Sequence, residues 1–429
     1  MNKKTRAYRR IIRGKERKLL KHKELLDNYR YDSIFTYTHF IDKVCNCMNG
    51  VSWKASVQNY FLNCLIKTYN DYCIISNHKL PIPVSDKEIV IFERGKARII
   101  TPIHIKDRVI QKVLCDYALV PVLSKTLIYD NGASLKGKGV MFSRTRLELH
   151  LKHAIKKYGD DFYIMIFDFK DFFNSIPHRT CRRILRRYFN EDVVSITMQI
   201  IKSPLRIKIK RIKGVEKKKY LLNELDNDNL CGICLGSQVS QIMALVIANE
   251  MDHYIKDKLM VKEYNRYMDD GVIMAKTKDE LRAIYNGMKE ICAKLGLNFN
   301  QKKTHIVNSH KGFTFLKVKY FVTKTGGIIS HLTHKGIVRM RRKLKKLKTK
   351  LDNGAITINN VYDSFRSWFE HSKVANHNYK TVKTMAGLYT ALFGDFKITK
   401  KGENDVLQIV EREDDIWRHY RDRLQAIPA

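Results

Sequence analysis

The chain has 429 residues, 44% of them hydrophobic, which is enough for a folded core and suggests two or three subdomains. Lys and Arg number 81 against 43 Asp and Glu, a net charge of +38, and such an excess points to a polyanionic partner without identifying it. No stretch is apolar and long enough to span a bilayer, and the basic N-terminus lacks the apolar core of a signal peptide. The nine cysteines are therefore expected as reduced thiols, in a cytoplasmic protein with no membrane partner.

Residues 1–26 are dense in basic residues with Ile11, Ile12, Leu19 and Leu20 interspersed, which predicts a helix that serves either as an RNA-binding arm or as a solvated packing helix. Arg94-Gly95-Lys96-Ala97-Arg98-Ile99-Ile100-Thr101-Pro102 predicts a basic hairpin, and Lys136-Gly137-Lys138-Gly139 a loop whose glycines permit close backbone approach. The glycine spacing of that loop is wrong for a P-loop. Asp161–Phe167 reads as a buried strand running into Asp168, and an acidic residue there is costly to bury unless it is paired or binds a metal. A helix is expected over 179–189. Apolar and basic residues alternate over 205–220, which predicts a basic β-hairpin insertion at about 205–222 with one face on phosphates. Gly232-Ile233-Cys234-Leu235-Gly236 precedes Ser237, a fair N-cap for a long helix over 237–259. The Cys231 and Cys234 spacing suits a metal, but both flank this glycine motif.

Tyr267-Met268-Asp269-Asp270 lies between the strand-like runs Glu263–Arg266 and Val272–Ala275. Asp-Asp-Gly at 269–271 is turn chemistry, so a β-hairpin with two carboxylates at its tip is predicted. Taken alone it is equally a solvated turn. Adjacent carboxylates need a counter-charge, and a divalent metal is a natural one. A helix over 278–295 and a strand over 299–307 complete a βαββαβ order, the ferredoxin-like split unit. In that topology Asp168 can meet Asp269 and Asp270 and hold two metals for in-line phosphoryl transfer. Beyond it lie Phe315-Leu316-Lys317-Val318-Lys319, a basic amphipathic helix over 339–350, and a second helix over 358–374. Residues 400–429 carry no functional signal.

From Ile91 to Tyr320 these motifs, in this order, resemble the reverse transcriptases, and the details resemble prokaryotic members of the diversity-generating and group II intron-like kinds. The resemblance implies an α+β right-hand polymerase with fingers, a ferredoxin-like palm and a helical thumb. The expected divisions are a basic extension and the start of the fingers over 1–80, fingers over 81–160, palm over 161–325, and thumb and tail over 326–429. It implies Asp168, Asp269 and Asp270 as ligands of two Mg²⁺ ions, with Mn²⁺ as a substitute, and Lys303 of the Asn300-to-Thr304 motif as charge stabiliser or general acid. Arg98, with Arg94 and Lys96, would hold the triphosphate, and Leu235 and Gly236 would border the incoming nucleotide. Phe173 would be the aromatic gate that excludes a 2′-hydroxyl. Lys136, Lys138 and Lys317, with Arg341, Arg342, Lys345 and Lys346 of the thumb, would contact nucleic acid. Most relatives carry Pro-Gln before the second glycine, where this chain has Cys234-Leu235, which removes a polar contact to the incoming nucleotide's side and leaves high fidelity without that support.

The implied activity is copying RNA into DNA from dNTPs. The expected partners are an RNA template and its cDNA, a dedicated structured noncoding RNA, and an accessory protein or a second copy. The expected setting is a bacterial retroelement or anti-phage defence. Two alternatives stay open at this point: a template-independent or protein-primed polymerase of an antiviral system, and a catalytically retired RNA-binding scaffold.

Overall fold

A computed structural model describes residues 23–79, 89–93 and 96–394, together with the backbone of strands Ile398–Lys401 and Val406–Ile409. Nearly all of the basic arm, and Arg94, lie outside the described residues. The chain divides into two units, one built from Met1–Ser143, Phe167–Gly271 and Arg282–His305, the other from Arg144–Ile166, Val272–Leu281 and Ile306–Ala429.

The elements near the N-terminus are helical: Tyr37–Met48, Ala55–Leu62, Cys64–Ser76 and, later, Ile105–Leu114. Phe40, Val44, Val109, Ile110 and Val113 are buried among them. Between these helices lies the hairpin of β1 (Ile89–Glu93) and β2 (Lys96–Ile100), antiparallel with Ile91 opposite Arg98.

Four further strands form one sheet: β3 (Tyr163–Asp168), β4 (Tyr264–Tyr267), β5 (Asp270–Ala275) and β6 (His305–Asn308), in the order β4-β5-β3-β6. With the helices between β3 and β4, and Lys278–Leu295 between β5 and β6, the chain order is the expected βαββαβ. β3 is buried from Ile164 to Asp168 because its β-branched and aromatic residues are covered on both faces. The last strand is shorter than the sequence predicts: Phe299 makes only an isolated bridge to Phe169, and residues 301–303 turn before His305.

The predicted β-hairpin at 205–222 is a helical hairpin instead. Helix Glu191–Lys210 continues through Pro204, and helix Val215–Asp226 returns after Gly214 at φ +108°. The alternation of apolar and basic residues was a misleading period. Val193, Val194, Thr197, Met198, Ile200 and Ile201 already pack this segment as a helix, and beyond Pro204 only Ile209 is buried. Lys202 donates to the Asp226 carbonyl at 3.1 Å, and Arg206 pairs with the Asp226 carboxylate, tying the two arms. The long helix expected over 237–259 is also interrupted: Gln238–Ile247 ends at Ala248, and Asn249–His253 follows.

In the second unit β7 (Phe313–Phe315), β8 (Val318–Val322) and β9 (Ile328–Leu332) form an antiparallel sheet. Helices His334–Asp352, Ile358–Ser372 and Tyr379–Phe393 pack around Met340, Leu344, Val361, Phe365, Met385 and Tyr389. The third of these helices was absent from the sequence expectation. Asn376 joins the bundle to β9, accepting from the Ser330 N–H at 2.7 Å. Among the described residues no helix is long and apolar enough to cross a membrane.

Candidate active site

Asp168 is the last residue of β3 and is 5% exposed. The Phe169 N–H donates to the Asp269 carbonyl at 3.3 Å, so the end of β3 lies beside the start of β5. Strand order thus brings together Asp168, Asp269 and Asp270, residues a hundred positions apart. The 300–304 segment joins them: the Asn300 N–H donates to the Asp168 carbonyl at 2.7 Å, and Lys303 Nζ meets Asp168 Oδ2 at 2.5 Å.

The electrostatics of this cluster are unfavourable for bare carboxylates. Burial, and then the charges of Asp269 and Asp168, push the Asp270 carboxyl up to about 7, with a hydrogen bond to Asp168 adding to the rise. Asp269 is raised for the same first reason, with Asp168 adding, against the opposing charges of Lys303 and Arg98. Burial works against the Lys303 ammonium, but its bond to Asp168 and the three carboxylate charges outweigh that and hold its pKa above the ordinary lysine value. Lys303 and Arg98 are thus set against three acids. The set is hard oxygen donors carrying excess negative charge, which suits a hard divalent cation. Among the described residues no group of three or more His, Cys, Asp or Glu side chains is already arranged as a metal cage. Lys303 sits on an Asp168 oxygen that such a cage would use.

The reversal between β4 and β5 falls at Met268, at φ +54°, and Asp269, not at Asp269-Asp270-Gly271 as expected. Gly271 sits within β5, and its role is space. A Cβ there would stand 2.1 Å from Cζ of Phe167, whose ring lies across the strand.

Sequence reading missed the support of this turn. Arg266 and Asp252 are both fully buried. Arg266 Nε donates to Asp252 Oδ1 at 2.8 Å, and one Nη donates to Asp252 Oδ2 at 2.7 Å and to the Leu245 carbonyl at 2.7 Å. The other Nη donates to the Met268 carbonyl at 2.9 Å, and Tyr264 Oη donates to Asp252 Oδ1 at 2.5 Å. An arginine immediately before the Tyr-Met-Asp-Asp run was a signal, but its acid partner lies in another element.

Phe173 is half-buried, its ring edge-on to Phe172 at 5.9 Å. Its carbonyl accepts from the Ile233 N–H at 2.9 Å, and the Ile176 carbonyl accepts from Gly232 N–H at 2.8 Å, so Phe173 is stitched to the glycine motif. Gly236 has φ +111°, and a Cβ there would stand 3.2 Å from the Thr101 carbonyl oxygen, so the motif also lies against the chain just after β2. Leu235 is half-buried beside it. Ser237 caps the following helix, accepting from the Ser240 N–H at 3.2 Å while donating to Gln111 Oε1 at 2.8 Å.

Arg98 is exposed on β2, and its charge is felt at Asp269. Lys96 opens β2 opposite Glu93, and its side chain lies outside the described residues. Lys136 is exposed, whereas Lys138 turns inward, its Nζ donating to the Tyr129 and Asn131 carbonyls at 2.7 and 3.1 Å. In the second unit Leu316 and Lys317 form the two-residue turn between β7 and β8, at φ +45° and +71°, and the buried Arg144 donates to the Leu316 carbonyl. Arg341, Arg342, Lys345 and Lys346 are all exposed on the helix His334–Asp352.

Residues 84–320, more than half of the chain, match the family model described as reverse transcriptase (RNA-dependent DNA polymerase), and the chain belongs to that family. No curated protein matches it. Among solved structures it is similar to apo telomerase from Candida tropicalis truncated from its C-terminal domain, at 14% identity and a TM-score of 0.39, over 56% of this chain and 54% of that one. It is also similar to telomerase from Candida albicans in complex with a fragment of telomeric RNA, at 14% identity and a TM-score of 0.37, over 72% and 59%. The chain spans little more than half the length of either telomerase.

Proposed function

We propose that this protein is an RNA-directed DNA polymerase whose active centre is Asp168, Asp269, Asp270 and Lys303. The observation that carries this reading is the meeting of the three aspartates, with one lysine as counter-charge, within a chain of the reverse transcriptase family. In this reading the β1–β2 hairpin belongs to the fingers, the four-stranded sheet to the palm and the three-helix bundle to the thumb. Asp168, Asp269 and Asp270 would hold divalent magnesium, which when bound activates the attacking 3′-oxygen and stabilises the leaving oxygen. Lys303 would leave Asp168 and place its ammonium at the departing pyrophosphate. Arg98 would bind triphosphate oxygens, and Phe173 would close the sugar side of the pocket against a 2′-hydroxyl. The template in this reading is a dedicated structured RNA, in a bacterial retroelement or defence setting, and the net charge of +38 supports a polyanionic partner.

The test is primer extension on an RNA template with dNTPs and Mg²⁺, with and without template. Template-dependent cDNA would support the reading. Incorporation without any template would favour a terminal-transferase-like enzyme, and none under any condition would leave an RNA-binding scaffold.

A further inference from the structure

Two adjoining hollows lie on the N-terminal helices, lined by none of Asp168, Asp269 and Asp270. The larger, about 350 Å³, is lined by Ser56, Asn59, Lys67, Asn70, His104 and Lys106 among others. The smaller, about 170 Å³, shares Ser56 and His104 and adds Lys54 and Arg108. The pair makes one trough between helices Ala55–Leu62 and Cys64–Ser76 and the start of helix Ile105–Leu114, seven residues beyond Arg98 in sequence.

The trough is built from within. Asp71, its side chain 3% exposed, pairs with Lys106 at 3.2 Å and accepts from Tyr60 Oη at 3.0 Å, which fixes the floor. His104 Nδ1 accepts the Lys106 backbone N–H at 3.3 Å, so the proton of the neutral ring sits on Nε2 as a donor. Burial, then the charges of Lys106 and Lys67, hold that ring's pKa below the ordinary histidine value. Lys67 Nζ donates to the Asn59 carbonyl and Oδ1 at 2.9 and 2.7 Å, which orders both side chains. Trp53, next to Lys54 in the chain, is 74% exposed.

The donor set is mixed. Four cations against one buried acid attract a phosphate. Amides that both donate and accept, a hydroxyl and an imidazole N–H exceed what a phosphate uses and match the polar edge of a base. The volume suits one nucleotide unit, and an exposed indole beside a basic trough is a stacking platform for the next base. We propose that this trough binds an unpaired nucleotide of the RNA strand, with Lys54, Lys67 and Arg108 on phosphates, Asn70 and Ser56 on the base, and Trp53 stacking its neighbour. The choice of RNA rests on the polymerase reading, while the trough and its nucleotide chemistry stand apart from it.

Fluorescence anisotropy of labelled homopolymeric oligoribonucleotides with the full chain, across a salt series, tests this. Asn70→Ala with Ser56→Ala removes no charge and no buried group. It should weaken binding roughly three- to tenfold, unequally among A, C and U oligomers, with the salt slope unchanged. Lys67→Met should weaken all oligomers alike and reduce the slope of log affinity against log salt by about 0.7. Trp53→Ala should weaken all of them. Unchanged affinity and base preference in the Asn70/Ser56 variant would overturn the proposal. So would displacement of the oligomer by a free nucleoside monophosphate at concentrations comparable to competing oligomer, since the site would then serve a free nucleotide. Extension on a generic primed template separates this from the polymerase reading. If no form of the protein extends a primer while Asn70 and Ser56 still set base preference, the trough stands and the polymerase reading falls.

Discussion

Arg266 binds Asp252 through Nε and one Nη, and spends the other Nη on the Met268 carbonyl at 2.9 Å. One buried ion pair therefore holds the turn that carries Asp269 and Asp270, and holds it in a left-handed conformation that methionine rarely adopts. A buried pair adds little stability over an apolar replacement, but losing one partner leaves a bare charge in the core.

Arg266→Met is accordingly expected to lower unfolding free energy by about 3–5 kcal/mol, read by urea denaturation. Combining it with Asp252→Leu should restore much of that stability without restoring nucleotide incorporation, because Met268 still lacks its donor. Recovery of both together would show that the pair matters to the fold alone.

Asp168→Asn and Asp269→Asn should each abolish nucleotide incorporation while leaving the circular dichroism spectrum and melting temperature near wild type. Both remove a negative charge from a crowded cluster, so neither should destabilise. Full activity of either variant in Mg²⁺ would remove that residue from the proposed centre.

Phe173→Val should admit ribonucleotides. The quantity to measure is the ratio of rNTP to dNTP incorporation, and an unchanged ratio in an active variant would leave Phe173 as packing for Phe172. Its half-buried ring makes a stability loss of less than about 2 kcal/mol the expected cost.

Gly271→Ala should cost about 1–3 kcal/mol and most of the activity, because the methyl group meets the Phe167 ring. Phe167→Leu in the same chain should relieve it. If Gly271→Ala is silent by itself, the strands yield locally and the glycine is not a packing requirement.

The elements that carry Asp168 and the Asp-Asp hairpin were legible because a buried strand ending in an acid, and a turn between two strand-like runs, leave local patterns. The same local logic failed over 205–222. Leu205 to Ile212 alternate with basic residues, but whether such a run is strand or helix is decided by what precedes it, and Val193 to Ile201 had already committed the chain to a helix. Arg266–Asp252 was invisible for a different reason: nothing in either residue's neighbourhood names a partner fourteen positions away across a fold. Gly271 was given to the turn because glycine is common in turns, whereas the ring of Phe167 is what excludes a side chain there.

The Leu316–Lys317 turn bears on the nucleic-acid contact proposed for Lys317. Two consecutive left-handed residues without glycine are costly in a free chain, and here Arg144 and the flanking strands of the β7–β8 hairpin hold them in place. The backbone under Lys317 has therefore lost its conformational freedom at folding rather than at association. In the proposed function a nucleic-acid strand would meet Lys317 on a backbone already fixed by folding, which lowers the ordering cost of that contact.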